Sequence, residues 1–306
     1  MASPIYVIGS SNTDMVVKTE KLPGPGETVM GGTFFMNPGG KGANQAVAAA
    51  RMGGLVTLVA HVGNDVFGQQ AIEHFKKENI NTSFVTTDPG HPSGVALIVV
   101  DAKGENNITV ASGSNGYLDQ PKVETALADL FDPAIILLQM EIPEATVKYA
   151  ITLGHAKKLK VILNPAPARR VSASLLARLH VITPNESEAE VLTGIKVTGP
   201  DTAARAAEKL REMGVPNVVI TLGAKGAYLL TDTVGKLIPA PSVKALDSTA
   251  AGDCFNGALA VALSENKSLE EAVIMACNAA SISVTRLGAQ ASMPFRNEIQ
   301  ELKFKG

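Results

Sequence analysis

Short apolar runs alternate along the chain with longer segments of helical periodicity, and this alternation limits the possible folds more than any other feature. The apolar runs are Ile5–Ile8, Thr57–Val62, Ile135–Leu138, Val161–Leu163, Val181–Thr183 and Val218–Leu222. The helical segments include Ala43–Met52, Val66–Asn79, Glu144–Lys158, Thr202–Met213 and Leu269–Thr285. Strands that alternate with helices form βαβ units, so the pattern predicts an α/β fold with a mostly parallel central sheet. Aromatic residues make up only 4% of the 306 residues, and an aliphatic core suits buried parallel strands.

Two regions, at about residues 14–36 and 93–112, interrupt this rhythm because they contain strand patterns without intervening helices. The patterns are Met15–Val17, Gly94–Val100 and Asn107–Ala111, and a turn with two Pro-Gly pairs lies at Lys21–Glu27. We interpret both regions as strands of a small second sheet that projects as a lid from a single domain spanning residues 1–306. A lid would exclude water during a transfer reaction. The alternative is an ordinary β-hairpin elaboration.

Polar residues follow several of the apolar runs. They are Ser10–Asp14, Gln139, Glu141, Asn164, Thr183, Asn185 and Thr221. In an open α/β sheet, ligands bind beyond the carboxyl ends of the strands. The sequence therefore predicts a binding site at this edge.

The segment Asp247–Asp253, with the sequence DSTAAGD, precedes the helical pattern Cys254–Leu263. At the start of a helix, the free N–H groups of Ala251, Gly252 and Asp253 can bind an anion, aided by the helix dipole. The Asp253 carboxylate could then accept a proton from an attacking hydroxyl. The alternative is that Asp253 is only the N-cap of the helix.

A second glycine-rich segment, Pro38–Asn44, opens the first helical pattern. Glycines there permit close approach of a polar ligand, and the Asn44 amide can both donate and accept hydrogen bonds. The segment is not a Walker A loop, because Lys41 is followed by Gly42 instead of Ser or Thr. A GxGxxG pattern after the first strand is also absent from the sequence, which argues against dinucleotide binding.

Two further segments have both functional and structural interpretations. Asn185 and Glu188 share one face of a helix start, where Glu188 could hold Mg²⁺ through water or could form a capping arrangement. The segment Thr221–Gly226 could bind a nucleotide or form a plain β-hairpin turn.

Charge and composition exclude several classes of function. The net charge is −2 and basic residues cluster only in pairs, so a nucleic-acid-binding stripe is not expected. Two distant cysteines and five scattered histidines give no zinc-binding spacing. The sequence has neither an apolar run of about 20 residues nor a signal-peptide pattern, so we expect no membrane partner and a cytoplasmic location.

The order of these motifs along the chain resembles the ribokinase family, also called the PfkB carbohydrate kinases, over essentially the whole length. The matching segments are Gly9–Asp14, Gly40–Ala50, Asn164–Arg169, Asn185–Glu188, Thr221–Gly226, Ala250–Asp253 and Thr285–Gln290. The resemblance implies a three-layer α/β/α fold with a β-sheet lid, and a homodimer formed through that lid. It also implies ATP-dependent phosphorylation of D-ribose at the 5-hydroxyl.

The resemblance implies roles for individual residues. Asp253 matches the catalytic base, and Ala251 and Gly252 match the anion hole that stabilises the transferring phosphoryl group. Sugar contacts fall on Asn12, Asp14, Gly40, Lys41, Gly42, Asn44, Glu141 and Asp253. Positions near ATP are Asn185, Thr221, Gly223, Lys225, Gly226, Gly252 and Cys277. Glu188 matches the residue linked to Mg²⁺, and an activating K⁺ or similar cation would lie near Asp247, Thr249, Ser283, Arg286, Gly288 and Ser292.

The chain departs from the family pattern at three positions. Ser248 and Ala250 replace Thr and Gly in the motif that ends at Asp253, and neither change affects the base. Cys277 stands where ribokinases can carry His. We interpret Cys254 as a packing residue, because no basic partner with a known spacing supports thiolate chemistry.

Other functions remain open. Within the same class, the substrate could be 2-deoxyribose, fructose, adenosine or pseudouridine; Asn12 and Asp14 favour a polyhydroxy pentose, and we expect Asn12 to read the 2-hydroxyl. A nucleotide-binding oxidoreductase is disfavoured by the missing dinucleotide motif. A catalytically silent sugar-binding regulator is disfavoured by the intact Asp253.

Overall fold

The protein is described here by a computed structural model, which covers residues 2–302. Its strands are β1 Ile5–Ile8, β2 Asn12–Lys18, β3 Thr33–Gly39, β4 Val56–Gly63, β5 Asn81–Asp88, β6 Gly94–Val100, β7 Asn106–Ala111, β8 Ile135–Leu138, β9 Lys160–Leu163, β10 Val181–Ile182, β11 Val218–Thr221, β12 Ala227–Leu230 and β13 Gly235–Ile238. Its α-helices are α1 Lys41–Arg51, α2 Val66–Lys77, α3 Gln120–Leu127, α4 Glu144–Ala156, α5 Ala173–Leu176, α6 Glu186–Thr193, α7 Pro200–Glu212, α8 Ala251–Ser264, α9 Leu269–Ser283 and α10 Arg296–Leu302.

The central sheet has nine strands in the order β13-β12-β11-β10-β9-β8-β1-β4-β5. Pairing is parallel from β11 to β5, and the edge strands β12 and β13 join antiparallel. In the middle of the sheet, Ile5 of β1 pairs with Val56 on one side and Ile135 on the other. The predicted α/β fold with a mostly parallel sheet is therefore confirmed.

Two apolar clusters lie on opposite faces of this sheet and make a three-layer α/β/α body. One packs α1, α2, α8 and α9 against the sheet. The other contains residues of α3, α4, α6 and α7. Alternate residues of β1 belong to different clusters, with Ile5 in the first and Ile8 in the second.

Helices α1 and α8 pack closely because small residues face each other. Ala43, Ala46, Ala48 and Ala49 of α1 are all buried. A Cβ added at Gly257 of α8 would lie 2.6 Å from the Ala48 Cβ and 2.7 Å from the Gln45 carbonyl oxygen. This close packing brings the first turns of the two helices together at the edge where the site lies.

A second sheet of four strands has the order β3-β2-β6-β7. Strands β2 and β6 are parallel, whereas the β2–β3 and β6–β7 pairs are antiparallel. The small sheet predicted from residues 14–36 and 93–112 is therefore present. Strand β2 begins at Asn12, directly after β1, so the sheet grows out of the polar edge of the central sheet.

Strand β5, at the edge of the central sheet, is absent from the sequence prediction. Its sequence NTSFVTTD is mostly polar because an edge strand buries little of its surface. No helix within residues 2–302 combines the length and the apolar character needed to cross a membrane.

Candidate active site

The site begins where the β1 loop meets the N-terminus of α1. Gly40, the N-cap of α1, has a φ of 88°, which a side chain would strain. A Cβ at Gly40 would lie 2.7 Å from the backbone nitrogen of Asn12, and a Cβ at Gly42 would lie only 2.5 Å from the backbone nitrogen of Ser10. Glycine at both positions therefore lets α1 start directly against the loop after β1. Lys41, Asn44 and Gln45 are thereby held in the first turns of the helix.

The N-terminus of α8 forms the opposite wall. Its N-cap is Ala250, which has a φ of 59°, and Asp253 is the third helical residue; the N-cap interpretation of Asp253 is therefore wrong. The Ala251 N–H donates to the Ser248 carbonyl at 3.2 Å, whereas the Gly252 N–H has no acceptor among the described residues. Such free first-turn groups are suited to an anion.

A cavity of about 190 Å³ opens in front of this helix start. Its lining residues are Lys41, Asn164, Ala166, Thr183, Asn185, Glu188, Thr221, Ser248, Ala250, Ala251, Gly252, Asp253 and Asn256. The cavity thus combines one lysine, the free helix N-terminus and several amides, which is the chemistry needed to bind phosphate groups.

The Asp253 carboxylate is held by two amides from α1. Asn44 Nδ2 donates to Oδ2 at 3.0 Å, and Gln45 Nε2 donates to Oδ1 at 2.9 Å. Burial raises the pKa of Asp253, while Lys41 and the two amide hydrogen bonds oppose that rise. In turn, Asp253 is the main cause of the raised pKa of Lys41, so the lysine stays charged. The carboxylate is therefore a proton acceptor close to the cavity.

Two further acidic groups, Glu141 and Asp14, lie near Asp253. Glu141 Oε2 accepts from Ser10 Oγ at 2.5 Å and from the Lys41 N–H at 3.0 Å. Burial, together with the charges of Glu141 and Asp253, raises the pKa of Asp14 to about 6. Asp14 is also packed against Gly39, where a Cβ would lie 2.3 Å from its carboxylate oxygens.

Asn12 is oriented by Asn115, which lies just beyond the last strand of the small sheet. Asn115 Nδ2 donates to Asn12 Oδ1 at 2.8 Å and to the Ser11 carbonyl at 3.1 Å. Its Oδ1 accepts from the Ser11 N–H at 2.8 Å. With Asn12 Oδ1 engaged, the Nδ2 group of Asn12 is its remaining donor for a ligand.

On the phosphate side of the cavity, Asn185 and Glu188 form a capping box at the start of α6. The capping arrangement considered for this pair is therefore present. Asn185 Oδ1 accepts from the Glu188 N–H at 2.8 Å, and Glu188 Oε2 accepts from the Asn185 N–H at 2.9 Å. Both residues also line the cavity. Burial raises the pKa of Glu188, as does the Asp253 charge, while the Asn185 hydrogen bond and Lys41 lower it.

Two of the predicted ATP-binding elements lie away from the cavity lining. The segment after Thr221 is a turn between β11 and β12, as the hairpin alternative predicted. Thr221 lines the cavity, whereas Gly223, Lys225 and Gly226 do not, and Lys225 Nζ donates to the Thr198 carbonyl at 3.1 Å. Cys277, a residue of α9, is buried in the core. Burial raises the pKa of both Cys254 and Cys277 to about 12, so neither is a ready nucleophile.

The residues predicted to surround a monovalent cation lie on the loop before α8 and on the segment that runs from the end of α9 to a short 3-10 turn at Ser292. Asp247 Oδ1 accepts from the Thr249 N–H at 2.9 Å, and Oδ2 accepts from the Gly288 N–H at 2.9 Å. Burial acts to raise the pKa of Asp247, but these hydrogen bonds outweigh it and the pKa is lowered. The hydroxyls of Ser283 and Ser292 donate to the carbonyls of Ala280 and Ala289, and Arg286 pairs with Glu298.

The sequence prediction missed the amides that support the site from behind. Gln45, Asn115 and Asn256 were not singled out, although each is almost fully buried. Asn256 accepts from Thr183 Oγ1 at 2.6 Å and donates to the Gly252 carbonyl at 2.8 Å. The available signal was the position of Gln45 beside Asn44 in a helix that has five alanines among its 11 residues.

An α/β/α body with a buried carboxylate beside a free helix N-terminus, at the carboxyl edge of a parallel sheet, defines a kinase that acts on a small molecule. Residues 3–296 match the family described as pfkB family carbohydrate kinase, and the chain belongs to that family. It is 41% identical to a ribokinase of Haemophilus influenzae, with 98% of each chain covered. It is 38% identical to a deoxyribokinase of Salmonella typhi, with 97% of each chain covered. The ribokinase of Arabidopsis thaliana, solved with ribose and ATP, superposes with a TM-score of 0.90 at 31% identity and 99% coverage of both chains.

Proposed function

We propose that this protein transfers the γ-phosphoryl group of ATP to the 5-hydroxyl of D-ribose, giving D-ribose 5-phosphate and ADP. The observation that carries the proposal is the placement of the buried Asp253 carboxylate directly after the Ala251–Gly252 helix start, on a cavity suited to phosphate. Full-length similarity to ribokinases supports the choice of ribose.

Each group has a defined part in the reaction. Asp253 accepts the proton of the 5-hydroxyl while that oxygen attacks the γ-phosphorus, and ADP leaves in line with the new bond. The Gly252 N–H and the α8 dipole stabilise the charge on the transferring group, and Lys41 supplies a cation close to both carboxylate and phosphate. Asn12, Asp14, Asn44 and Glu141 hold the sugar. The small sheet covers the site and excludes water.

The phosphate side of the site fits Mg²⁺ carried by ATP. Residues 2–302 contain no group of three or more His, Cys, Asp or Glu side chains that could hold a metal. One carboxylate, Glu188, lies on the cavity with the Asn185 amide. That donor set suits Mg²⁺, which keeps several waters and binds through few carboxylates plus substrate phosphates. When bound, the ion would neutralise charge on the phosphates.

An activating K⁺ would bind between the loop that contains Asp247 and Thr249 and the segment from Ser283 to Ser292. The set of predicted residues, which also includes Arg286 and Gly288, offers carboxylate, hydroxyl and carbonyl oxygens, and such oxygens bind alkali cations. The Asp247–Gly288 hydrogen bond already joins the two segments. A cation there would stiffen the residues that lead into the anion hole at Gly252.

We further propose a cytoplasmic homodimer that forms through the small sheet. That sheet exposes Phe34, Met36, Leu97, Ile108 and Val110, each at least 49% accessible. By strand register, Phe34, Met36 and Leu97 share one face of that sheet, and Ile108 and Val110 lie on the other. Exposed apolar side chains of this kind mark an interaction site. Sedimentation of the wild type as a dimer and of Ile108→Lys as a folded monomer is expected. A wild-type monomer at micromolar concentration would contradict the proposal.

The decisive experiment measures ADP release with Mg²⁺-ATP and K⁺ on ribose, 2-deoxyribose, fructose and adenosine. We expect the highest kcat/KM on ribose and loss of at least about a thousandfold in Asp253→Ala. Omission of K⁺ tests the cation separately. Activity on another substrate alone would retain the kinase and reject ribose. A folded protein that binds ATP but is silent on the whole panel would favour the binding-only alternative.

One observation favours a second candidate substrate. The similarity to a deoxyribokinase is nearly as high as that to ribokinases, so 2-deoxyribose is the competitor. Asn12 argues for ribose, because a donor left without its hydroxyl partner would cost binding energy.

A further inference from the structure

We propose that Gln45 is the residue that positions the catalytic carboxylate, and that Gln139 sets its orientation. The proposal rests on Asp253 being the base. Gln45 is fully buried at 0% exposure, and so is Gln139 at the end of β8. Neither side chain is accessible to a substrate, so both act through Asp253.

Every hydrogen-bonding atom of the Gln45 amide is used. Its Nε2 donates to Asp253 Oδ1 at 2.9 Å and to Asn164 Oδ1 at 3.1 Å, while its Oε1 accepts from Gln139 Nε2 at 2.6 Å. An amide has two donor hydrogens on its nitrogen, so Gln45 Nε2 is saturated. Asn164 is fixed in turn because its Nδ2 donates to the Thr183 carbonyl at 3.1 Å.

The carboxylate dictates the direction of this chain of amides. An ionised carboxylate only accepts hydrogen bonds, so Gln45 must present its nitrogen to Asp253 and its oxygen to Gln139. Gln139 then has to present its nitrogen to Gln45. A flipped Gln45 would place its oxygen against Asp253 Oδ1 and repel the charge on the carboxylate.

Gln139 keeps this orientation although its own amide oxygen is then left without a donor. Gln139 Oε1 is buried and has no hydrogen-bond partner in the described part of the chain. Such an orphaned acceptor destabilises a fold. A Cβ at Gly9 would lie only 2.1 Å from this oxygen, so Gly9 is needed to accommodate it. The Gln139 side chain thus lowers stability while it holds Gln45 in the orientation that Asp253 requires, which indicates a role in function.

Asn44, the other amide on Asp253, has a parallel support. Gln290 Nε2 donates to Asn44 Oδ1 at 3.0 Å, and His74 Nε2 lies 2.8 Å from Gln290 Oε1. The two carboxylate oxygens are therefore each held by an amide that a second amide orients. Gln45 differs from Asn44 in being wholly enclosed, so a bound sugar does not replace it.

The charges around Asp253 determine what a change at Gln45 would do to the pH profile. Lys41 on α1 favours the ionised carboxylate, whereas Glu141 beyond β8, Asp14 on β2 and Glu188 on α6 disfavour it. Removal of the Gln45 hydrogen bond, or a second carboxylate in its place, would further disfavour the ionised form of Asp253 and so raise its pKa.

The test uses the full-length protein and three variants: Gln45→Glu, Gln139→Met and, as a charge control on exposed α2 surface, Gln69→Glu. We expect Gln45→Glu to lower kcat on the sugar by roughly tenfold to a hundredfold. The acid limb of its kcat/KM profile should move to higher pH by about one unit, while KM for ATP stays within about twofold. Gln69→Glu should match the wild type.

Gln139→Met keeps the proposal testable if Gln45→Glu fails to fold. Met is similar in volume; it removes the orphaned Gln139 oxygen but leaves Gln45 Oε1 without its donor, so the two effects offset and thermal stability should be nearly unchanged. It also removes the donor that orients Gln45, so kcat should fall by roughly threefold to thirtyfold. A purely structural role would change stability and activity together.

Two results would overturn the inference: a wild-type pH profile in folded Gln45→Glu, or full kcat in Gln139→Met. Asp253→Asn separates these outcomes from a failure of the base assignment. If Asp253→Asn is inactive while the glutamine variants behave as wild type, only the positioning role is rejected. If Asp253→Asn retains wild-type kcat, the base assignment and the positioning role fall together.

Discussion

Asn44 Nδ2 donates a 3.0 Å hydrogen bond to Asp253 Oδ2, although 209 residues separate the two in the chain. The contact exists because α1 and α8 pack side by side through alanine and glycine. It connects the glycine-rich segment near residue 40, proposed to bind the sugar, to the helix start proposed to bind the phosphoryl group. The geometry of the base therefore depends on the packing of two helices.

That dependence predicts the effect of Gly257→Ala. The added methyl group would meet the Ala48 Cβ at 2.6 Å and the Gln45 carbonyl at 2.7 Å, so α1 and α8 must separate. We expect a loss of stability of about 1–3 kcal/mol and a fall in kcat. Urea unfolding and steady-state kinetics measure the two effects. Wild-type values for both would show that the packing tolerates a methyl group.

Gly252→Ala should show the opposite combination of stability and activity. No described atom lies within 4 Å of the position where its Cβ would stand, and alanine is the better helix former by about 1 kcal/mol. The melting temperature should stay the same or rise. The methyl group would nevertheless crowd the cavity that Gly252 lines, where we propose that the phosphoryl group binds, so kcat should fall at least about tenfold.

The control is Gly116→Ala, where the added methyl group likewise meets no described atom and lies outside the cavity. It should leave activity intact. An unchanged kcat in Gly252→Ala would show that Gly252 is not part of the anion hole.

Asp14 should link sugar binding and stability to pH. Its pKa is raised to about 6 in the folded protein, so the folded state binds this proton more tightly than the unfolded state. The destabilising effect of the ionised group is therefore fully present above about pH 6 and disappears as the pH falls towards the unfolded value. Asp14→Asn should stabilise the protein by about 1–3 kcal/mol at pH 7.5, with a gain that shrinks towards pH 4.

The same change should weaken sugar binding, because the amide replaces a carboxylate acceptor. KM for ribose should rise about tenfold or more, while KM for ATP changes little. Equal stability of mutant and wild type at both pH values would contradict the raised pKa.

Asn115→Ala tests whether the orientation of Asn12 matters for sugar choice. The substitution removes the donor to Asn12 Oδ1 and the acceptor for the Ser11 N–H. The Asn12 amide can then rotate, so kcat/KM for ribose should fall about tenfold while that for 2-deoxyribose falls less. Parallel assays on the two sugars give the ratio. An unchanged ratio would show that the orientation of Asn12 plays no part in recognition of the 2-hydroxyl.

The sequence by itself determined the layered α/β fold, because the spacing of apolar residues encodes strand and helix periodicities locally. It also indicated the two glycine-rich helix starts and the carboxylate in Asp253, since these residues stand in contiguous motifs. It failed for β5, whose edge position removes the apolar signal.

Only the tertiary structure decided which polar groups meet. Gln45 and Asp253 lie on helices α1 and α8, and Gln139 and Asn164 directly follow strands β8 and β9. No local pattern encodes the direction of their hydrogen bonds. Likewise, the structure assigned the N-cap of α8 to Ala250 instead of Asp253. Amide orientation and helix boundaries depend on the packing of distant elements, and a linear sequence specifies that packing only through the complete fold.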